Sequence, residues 1–389
     1  MRGDRPRLVT PQFALIVLSG FAYFLSLAML TPVIPHYVED ELHGGKVAVG
    51  VAVGSFAFGA VILRTFAGRL GDRHGRRILL IGGALTVAVS TALYGIVESY
   101  WWLLAWRLVT GFGEAAFFVG AATMITDRAP ADRRGEAVSY WSVAVYGGLA
   151  FGPALGDVIR GDGRYDAAWL TSAALALIAA LLGLATREVA HVTPNSETRS
   201  LVHRASVIPG VVLFCGLIPL AGFSTFVPLY VERFDIDAGP IFLLYGVLVL
   251  TVRLSAAWLP DRLGGKTAAT GALTFTGTGI AIVALWPSIA GLIVGTIVFS
   301  AGMSLLYPAI FVIVLAGIPD NERASVVATV SSFFDLSQGI GAAVCGVVAA
   351  FAGNRGAFAA GAVAAGMGLV ILRRFVPARV NPVLPEPAP

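Results

Sequence analysis

Three charged side chains, Arg107, Glu114 and Asp335, stand inside otherwise apolar runs of this 389-residue chain. Each intramembrane charge of this kind costs about 2.5–3.5 kcal/mol at a helix centre, so three facing lipid would cost on the order of 8–10 kcal/mol. They must therefore face protein or water. Burial favours the protonated form of a carboxylic acid and a neighbouring guanidinium favours the ionised form, so motion that changes either surrounding loads or releases a proton. Glu114 and Asp335 are candidate proton carriers, and Arg107 is the candidate charge that holds an acid ionised. Arg107 and Glu114 are seven residues apart, which puts them on one helix face but about 10 Å apart along the axis, so their partners belong to other helices.

The elements that hold these residues are apolar helices. The chain is 57% hydrophobic and only 13% charged, with a mean hydropathy of +0.81, where soluble proteins average about 25% charged. A bilayer core takes about 20 apolar residues per helix. That ruler predicts an all-α membrane protein with twelve transmembrane helices in two six-helix bundles, residues 1–186 and 206–376. A cytoplasmic linker at 187–205 joins the bundles, and a proline-rich disordered tail fills 377–389. The net charge of +4 forms no extended basic face, so nucleic acid is not an expected partner. Cys215 and Cys345 lie inside apolar runs as packing residues, and the first apolar run is too long for a signal-peptide core. Most Lys and Arg fall on the side of the N-terminus, which predicts that both termini are cytoplasmic.

The halves repeat. PHYVE at 35–39 matches PLYVE at 228–232, an offset of 193, and Arg64, Leu70, Asp72, Arg73 and Gly75 match Arg253, Leu259, Asp261, Arg262 and Gly264 at 189. Duplication of this kind suits a transporter that rocks about a site near the bilayer midplane. Arg107, Glu114 and Asp335 break the symmetry, since their counterparts are Val298, Leu305 and Tyr146, and this separates them from shared scaffold. Polar and aromatic stripes predict a cavity wall that includes Tyr23, Ser26, Tyr146, Tyr307, Phe311 and Gln338. Gly148, Gly152 and Gly156 recur every four residues beside Pro153, a pattern for close helix approach.

GRLGDRHGRRILL at 68–80 is read as a tight basic loop between two spans, and it resembles the signature between spans two and three of the major facilitator superfamily, with Gly71 where a small apolar residue such as Ala is usual. LSLAMLTPVIP at 25–35, RLVTGFGEAA at 107–116 and GLAFGPALGD at 148–157 resemble the patterns of its twelve-span drug:proton antiporters, with Asp157 in place of the usual Gly. The resemblance implies a cytoplasmic latch of Gly68, Asp72, Arg73, Gly75 and Arg76, with Arg76 bridging to Asp127, and a leak-sealing role for Gly148, Gly152, Pro153 and Gly156. Asp157 is expected to soften that seal. The first span lacks the acid that many relatives carry there. The expected protein is a monomeric, proton-coupled exporter of small hydrophobic or cationic molecules in a bacterial cytoplasmic membrane. It has the proton gradient as its energy source, no cofactor, no metal and no catalytic residue. The alternatives are an importer of a polar or anionic metabolite and a non-transporting sensor of the same fold.

Overall fold

Thr10 starts the first helix by accepting a hydrogen bond from the Phe13 amide, with Pro11 in the first turn where its missing N–H goes unused. The computed structural model describes residues 8–96, 99–130, 133–161, 163–188, 203–256, 258–316, 318 and 320–377. Most of the predicted linker and tail lies outside these. The helices are α1 Pro11–Asp40, α2 Lys46–His74, α3 Arg76–Ala92, α4 Tyr100–Arg128, α5 Arg134–Arg160 and α6 Tyr165–Leu184, then α7 Arg204–Val231, α8 Gly239–Ala256, the short α9 Leu259–Leu263, α10 Gly265–Leu285, α11 Ile289–Leu315 and α12 Asp320–Phe375. The described residues contain no strand. Among the described residues, eleven helices are long and apolar enough to cross a membrane. The last run is interrupted at Gly353, whose φ of 68° breaks the helical path and divides α12 into arms at 320–352 and 354–375. Unbroken, its 47-residue apolar stretch would extend about 70 Å, more than twice the hydrocarbon thickness.

The stretch at 68–80 is not a loop. Residues 68–74 are the last turns of α2 and 76–80 the first of α3, so the turn is the single residue Gly75. Gly75 has φ 96° and ψ 144°, and its counterpart Gly264, between α9 and α10, has φ 78° and ψ 141°. A side chain would strain both positions, which is why glycine stands at each.

Short connections make sequential helices antiparallel. The end at which α1 and α7 begin is here called the near end, and the opposite end the far end. Helix α1 packs on α5 and α6, α3 on α4 and α6, and α2 on α4; α7 packs on α12, α10 on α11 and α12, and α8 on α11. The contacts α2–α12 and α5–α8 join the two sets. Small residues let these backbones meet, as lipid-embedded packing requires. A Cβ on Gly152 would strike Ala28 and Met29 of α1, and one on Gly341 would strike Ala221 and Ile218 of α7, so the sequence repeat returns as a repeated contact.

At the far end the bridging pairs also correspond. Gly50 of α2 rests on Ala342 and Gly346 of α12, and Gly239 of α8 rests on Ala154 and Asp157 of α5. The Gly239 amide donates to the Asp157 carboxylate at 2.7 Å. Asp157 therefore ties α5 to the start of α8 and does not loosen that end, because a carboxylate there meets an unpaired helix N-terminal amide. Gly50→Val drives a branched side chain into the α12 backbone, with an expected loss of about 1–3 kcal/mol of stability, read as a lower melting temperature in detergent. Gly82→Ala is the control: nothing among the described residues lies within 4 Å of its added Cβ, and the gain in helix propensity makes it neutral or mildly stabilising.

Candidate functional site

The centre of the charge cluster is Arg64, on α2. Its Nη2 donates to both carboxylate oxygens of Glu114 on α4, at 3.0 and 2.8 Å, and its Nε lies 3.1 Å from an Asp335 oxygen on α12. The guanidinium stacks over Phe118 with its carbon 5.1 Å from the ring centroid. All three polar side chains are largely enclosed. Arg64 thus joins an acid of its own repeat to an acid of the other, and one cation between two carboxylates offsets only one of two negative charges. Protonation of either acid balances the site, which is the arrangement a proton carrier needs.

Glu114 and Asp335 are brought together, and Arg107 is not with them. The Arg107 Nε and Nη2 donate to the Ala52 and Val53 carbonyls of α2 at 3.0 and 2.9 Å, and its guanidinium carbon lies 5.0 Å from the Phe56 ring centroid. Carbonyl dipoles solvate this charge, and its contacts pin α4 to α2. Arg64 stood out in the sequence only through its match to Arg253 in the repeat, and that match concealed its difference. Arg253 meets no carboxylate among the described residues; it lies over the Tyr146 ring, 3.8 Å from the centroid. Since Tyr146 is the counterpart of Asp335, Arg64–Asp335 and Arg253–Tyr146 are one contact duplicated, ionic in one copy and aromatic in the other.

The expected cavity wall divides. Tyr23 stacks on Phe117 with centroids 3.6 Å apart, and its buried hydroxyl has no hydrogen-bond partner among the described residues. Gln338, one turn beyond Asp335, has a buried amide nitrogen also without a partner among the described residues. Tyr307 packs on Phe311 and Phe334, with centroids at 4.5 and 6.0 Å. Tyr23 is fully enclosed, so it forms part of the packed interior. Ser26 does too: its hydroxyl donates to the Ser172 carbonyl at 2.7 Å, and Ser172 returns a bond to the Ser26 carbonyl at 3.0 Å, so it locks α1 to α6. A cleft of about 800 Å³ opens at the far end beside Asp40, Asp157, Arg160, Tyr165 and Asp237, away from that wall.

At the near end, Arg76 pairs with Asp127. Glu188, beyond α6, accepts from the Arg76 and Arg77 amides at 3.1 and 3.0 Å, which places a carboxylate on the start of α3. Nothing in the sequence singled out Glu188. The side chains of Asp72 and Arg73 lie outside the described residues, as does that of Gly68's neighbour Arg69. Gly148 and Gly152 meet α1 at Phe24 and Ala28, and Gly156 meets the Met29 carbonyl, with Pro153 between them in α5. Arg64→Gln leaves two buried carboxylates without their cation, an expected loss of about 3–5 kcal/mol. Adding Asp335→Asn recovers part of it, as thermal unfolding of the single and double variants checks. Arg107→Gln, which removes hydrogen bonds but strands no carboxylate, costs about 1–3 kcal/mol.

The Major Facilitator Superfamily model matches residues 16–289 and 257–388. An uncharacterized MFS-type transporter of Salmonella typhimurium is 30% identical over 368 residues, covering 90% of this chain and 93% of its own. Among solved structures, a bacterial homologue of the human lysosomal transporter Spinster, inward-facing and occupied, superposes with a TM-score of 0.78 at 14% identity over 93% of this chain and 95% of its own. The nucleoside transporter NupG does so with a TM-score of 0.74 at 16% identity, over 94% and 98%. The chain is a multi-pass membrane protein and belongs to the major facilitator superfamily of transporters.

Proposed function

We propose that the protein is a proton-coupled secondary transporter that exports small hydrophobic or cationic molecules across a bacterial cytoplasmic membrane by alternating access. Twelve spans, counting the arms of α12 separately, form two six-helix bundles with the near end cytoplasmic. The observation that carries this reading is Arg64 held between Glu114 of one repeat and Asp335 of the other. Protonating Asp335 frees Arg64 to remain with Glu114 and releases the α2–α12 tie at that depth. A positively charged solute beside the acids competes with the proton, and that competition is what antiport requires. The described contacts that join the repeats gather at the far end, around Gly50, Gly239 and Asp157, so this conformer corresponds to the state closed outside and open inside. Arg76–Asp127 and the Glu188 cap are the described part of the cytoplasmic latch, which Gly68, Asp72, Arg73 and Gly75 complete in the proposal.

A second reading, uptake of a polar or anionic metabolite, is favoured by one feature: Arg253 faces an aromatic ring and no carboxylate among the described residues. An anion there would be drawn in with a proton and not exchanged for it, because both add to the same charge balance. In proteoliposomes with an imposed pH gradient, adding a lipophilic cation should release protons, and Glu114→Gln or Asp335→Asn should reduce that release at least about tenfold, the effect of about 1.4 kcal/mol in coupling. Solute movement by the unaltered protein with no proton exchange would sink the proposal. Proton uptake stimulated by an organic anion would select the second reading.

A further inference from the structure

Far from the Arg64 cluster, both ring nitrogens of His36 face acceptors. Nδ1 lies 2.7 Å from the Pro32 carbonyl oxygen, an atom that only accepts, so Nδ1 carries a hydrogen. Nε2 lies 2.8 Å from a carboxylate oxygen of Glu232. A bare nitrogen there would set its lone pair against those of the carboxylate. The contact therefore needs a second proton, held by the imidazolium or by a carboxylic acid. The pair binds one proton more than a neutral imidazole beside a carboxylate would.

The location gives this proton a consequence. His36 is on α1, and Glu232 follows the last residue of α7, so the bond crosses from one repeat to the other at the far end. The His36 side chain is 5% exposed and that of Glu232 is 55% exposed, which connects the proton to far-end water through Glu232. Duplication does not explain the pair. In the first repeat Glu39 is paired with Lys46, whereas the position matching Lys46 is Gly239 or Asp235, depending on the offset, and the counterpart of His36 is Leu229. Glu232 thus lacks the lysine of its repeat and takes a titratable partner from the other.

The surrounding charges leave the pair to itself. Lys46 on α2 is engaged by Glu39, Asp40 accepts from the Tyr165 hydroxyl on α6 at 2.6 Å, and Asp157 on α5 is held by Gly239 and Arg160. Arg233 lies over the rings of Tyr230 and Phe234, the Tyr100 hydroxyl on α4 donates to the Ala48 carbonyl, and Arg355 on α12 donates to the Ala284 carbonyl. Glu41, Asp166, Asp235 and Asp237 are the other acidic residues at the same end.

We infer that His36 and Glu232 form a second proton-binding site, loaded from far-side water, whose proton locks α1 to α7 and is released when the far end opens. This rests on the alternating-access reading above. If opening releases one proton, the ratio of open to closed rises up to about tenfold per pH unit. The test places a reporter at Ala342→Cys, which is buried against α2, in a background with Cys215→Ala and Cys345→Ala. Far-side labelling by a membrane-impermeant maleimide is measured from pH 5.5 to 8.5 in proteoliposomes. Rates are divided by those of the same protein carrying His36→Leu, which cancels the thiol's own pH dependence. The expected ratio is well below one at low pH and climbs towards one at high pH. With Glu232→Gln, whose amide donates to Nε2 without an added proton, the ratio stays low and flat. A flat ratio for the parent protein, or a Glu232→Gln protein that follows the parent, overturns the lock and leaves proton-coupled transport standing on its own flux assay. Labelling absent from every variant at every pH would overturn the lock and alternating access together.

Discussion

An arginine in a membrane interior has to be neutralised or solvated by something, and the arrangement around Arg64 follows from that requirement. Two carboxylates meet it, one from α4 and one from α12, so α2 has a fixed rotation about its axis and a fixed depth relative to both. Arg107 solves the same problem with carbonyl oxygens of α2. The two solutions differ in what they permit. Carbonyl ligation has no second state, whereas a guanidinium shared by two acids changes partners when either acid takes a proton. The first is suited to holding helices and the second to moving them.

Much of the fold was legible because it depends on long-range averages along the chain. Apolar runs of membrane length revealed the helices. The repeat was equally visible, and it reappears in conformations that sequence alone does not display. Gly75 and Gly264 adopt nearly the same dihedrals, and Gly152 and Gly341 receive Ala28 of α1 and its counterpart Ala221 of α7.

The site was less legible, for a reason of geometry. Each residue turns a helix by about 100°, so an error of one residue in helix facing changes the partner of a side chain. The cost of burying a charge shows that Arg107, Glu114 and Asp335 need company, but not whose. Removing what the repeat shared set aside Arg64, although its significance comes from the acid it meets in the other half and not from its own type. Ser26 fitted a cavity stripe yet faces α6, since a hydroxyl bond to a carbonyl looks the same in sequence as a hydroxyl left for a solute. The 68–80 stretch reads as a loop because charge density imitates one; glycine at a single residue with positive φ performs the whole reversal.

That one-residue joint has a mechanical meaning. A flexible loop would let α2 turn without disturbing α3, but Gly75 leaves no slack between them, and the Glu188 carboxylate grips the first amides of α3 directly beyond it. A displacement of α2 at Arg64 would therefore reach the head of α3 and the Glu188 carboxylate that rests on it. The two helices form a crank with Gly75 as its elbow, and Glu188 is attached to the handle.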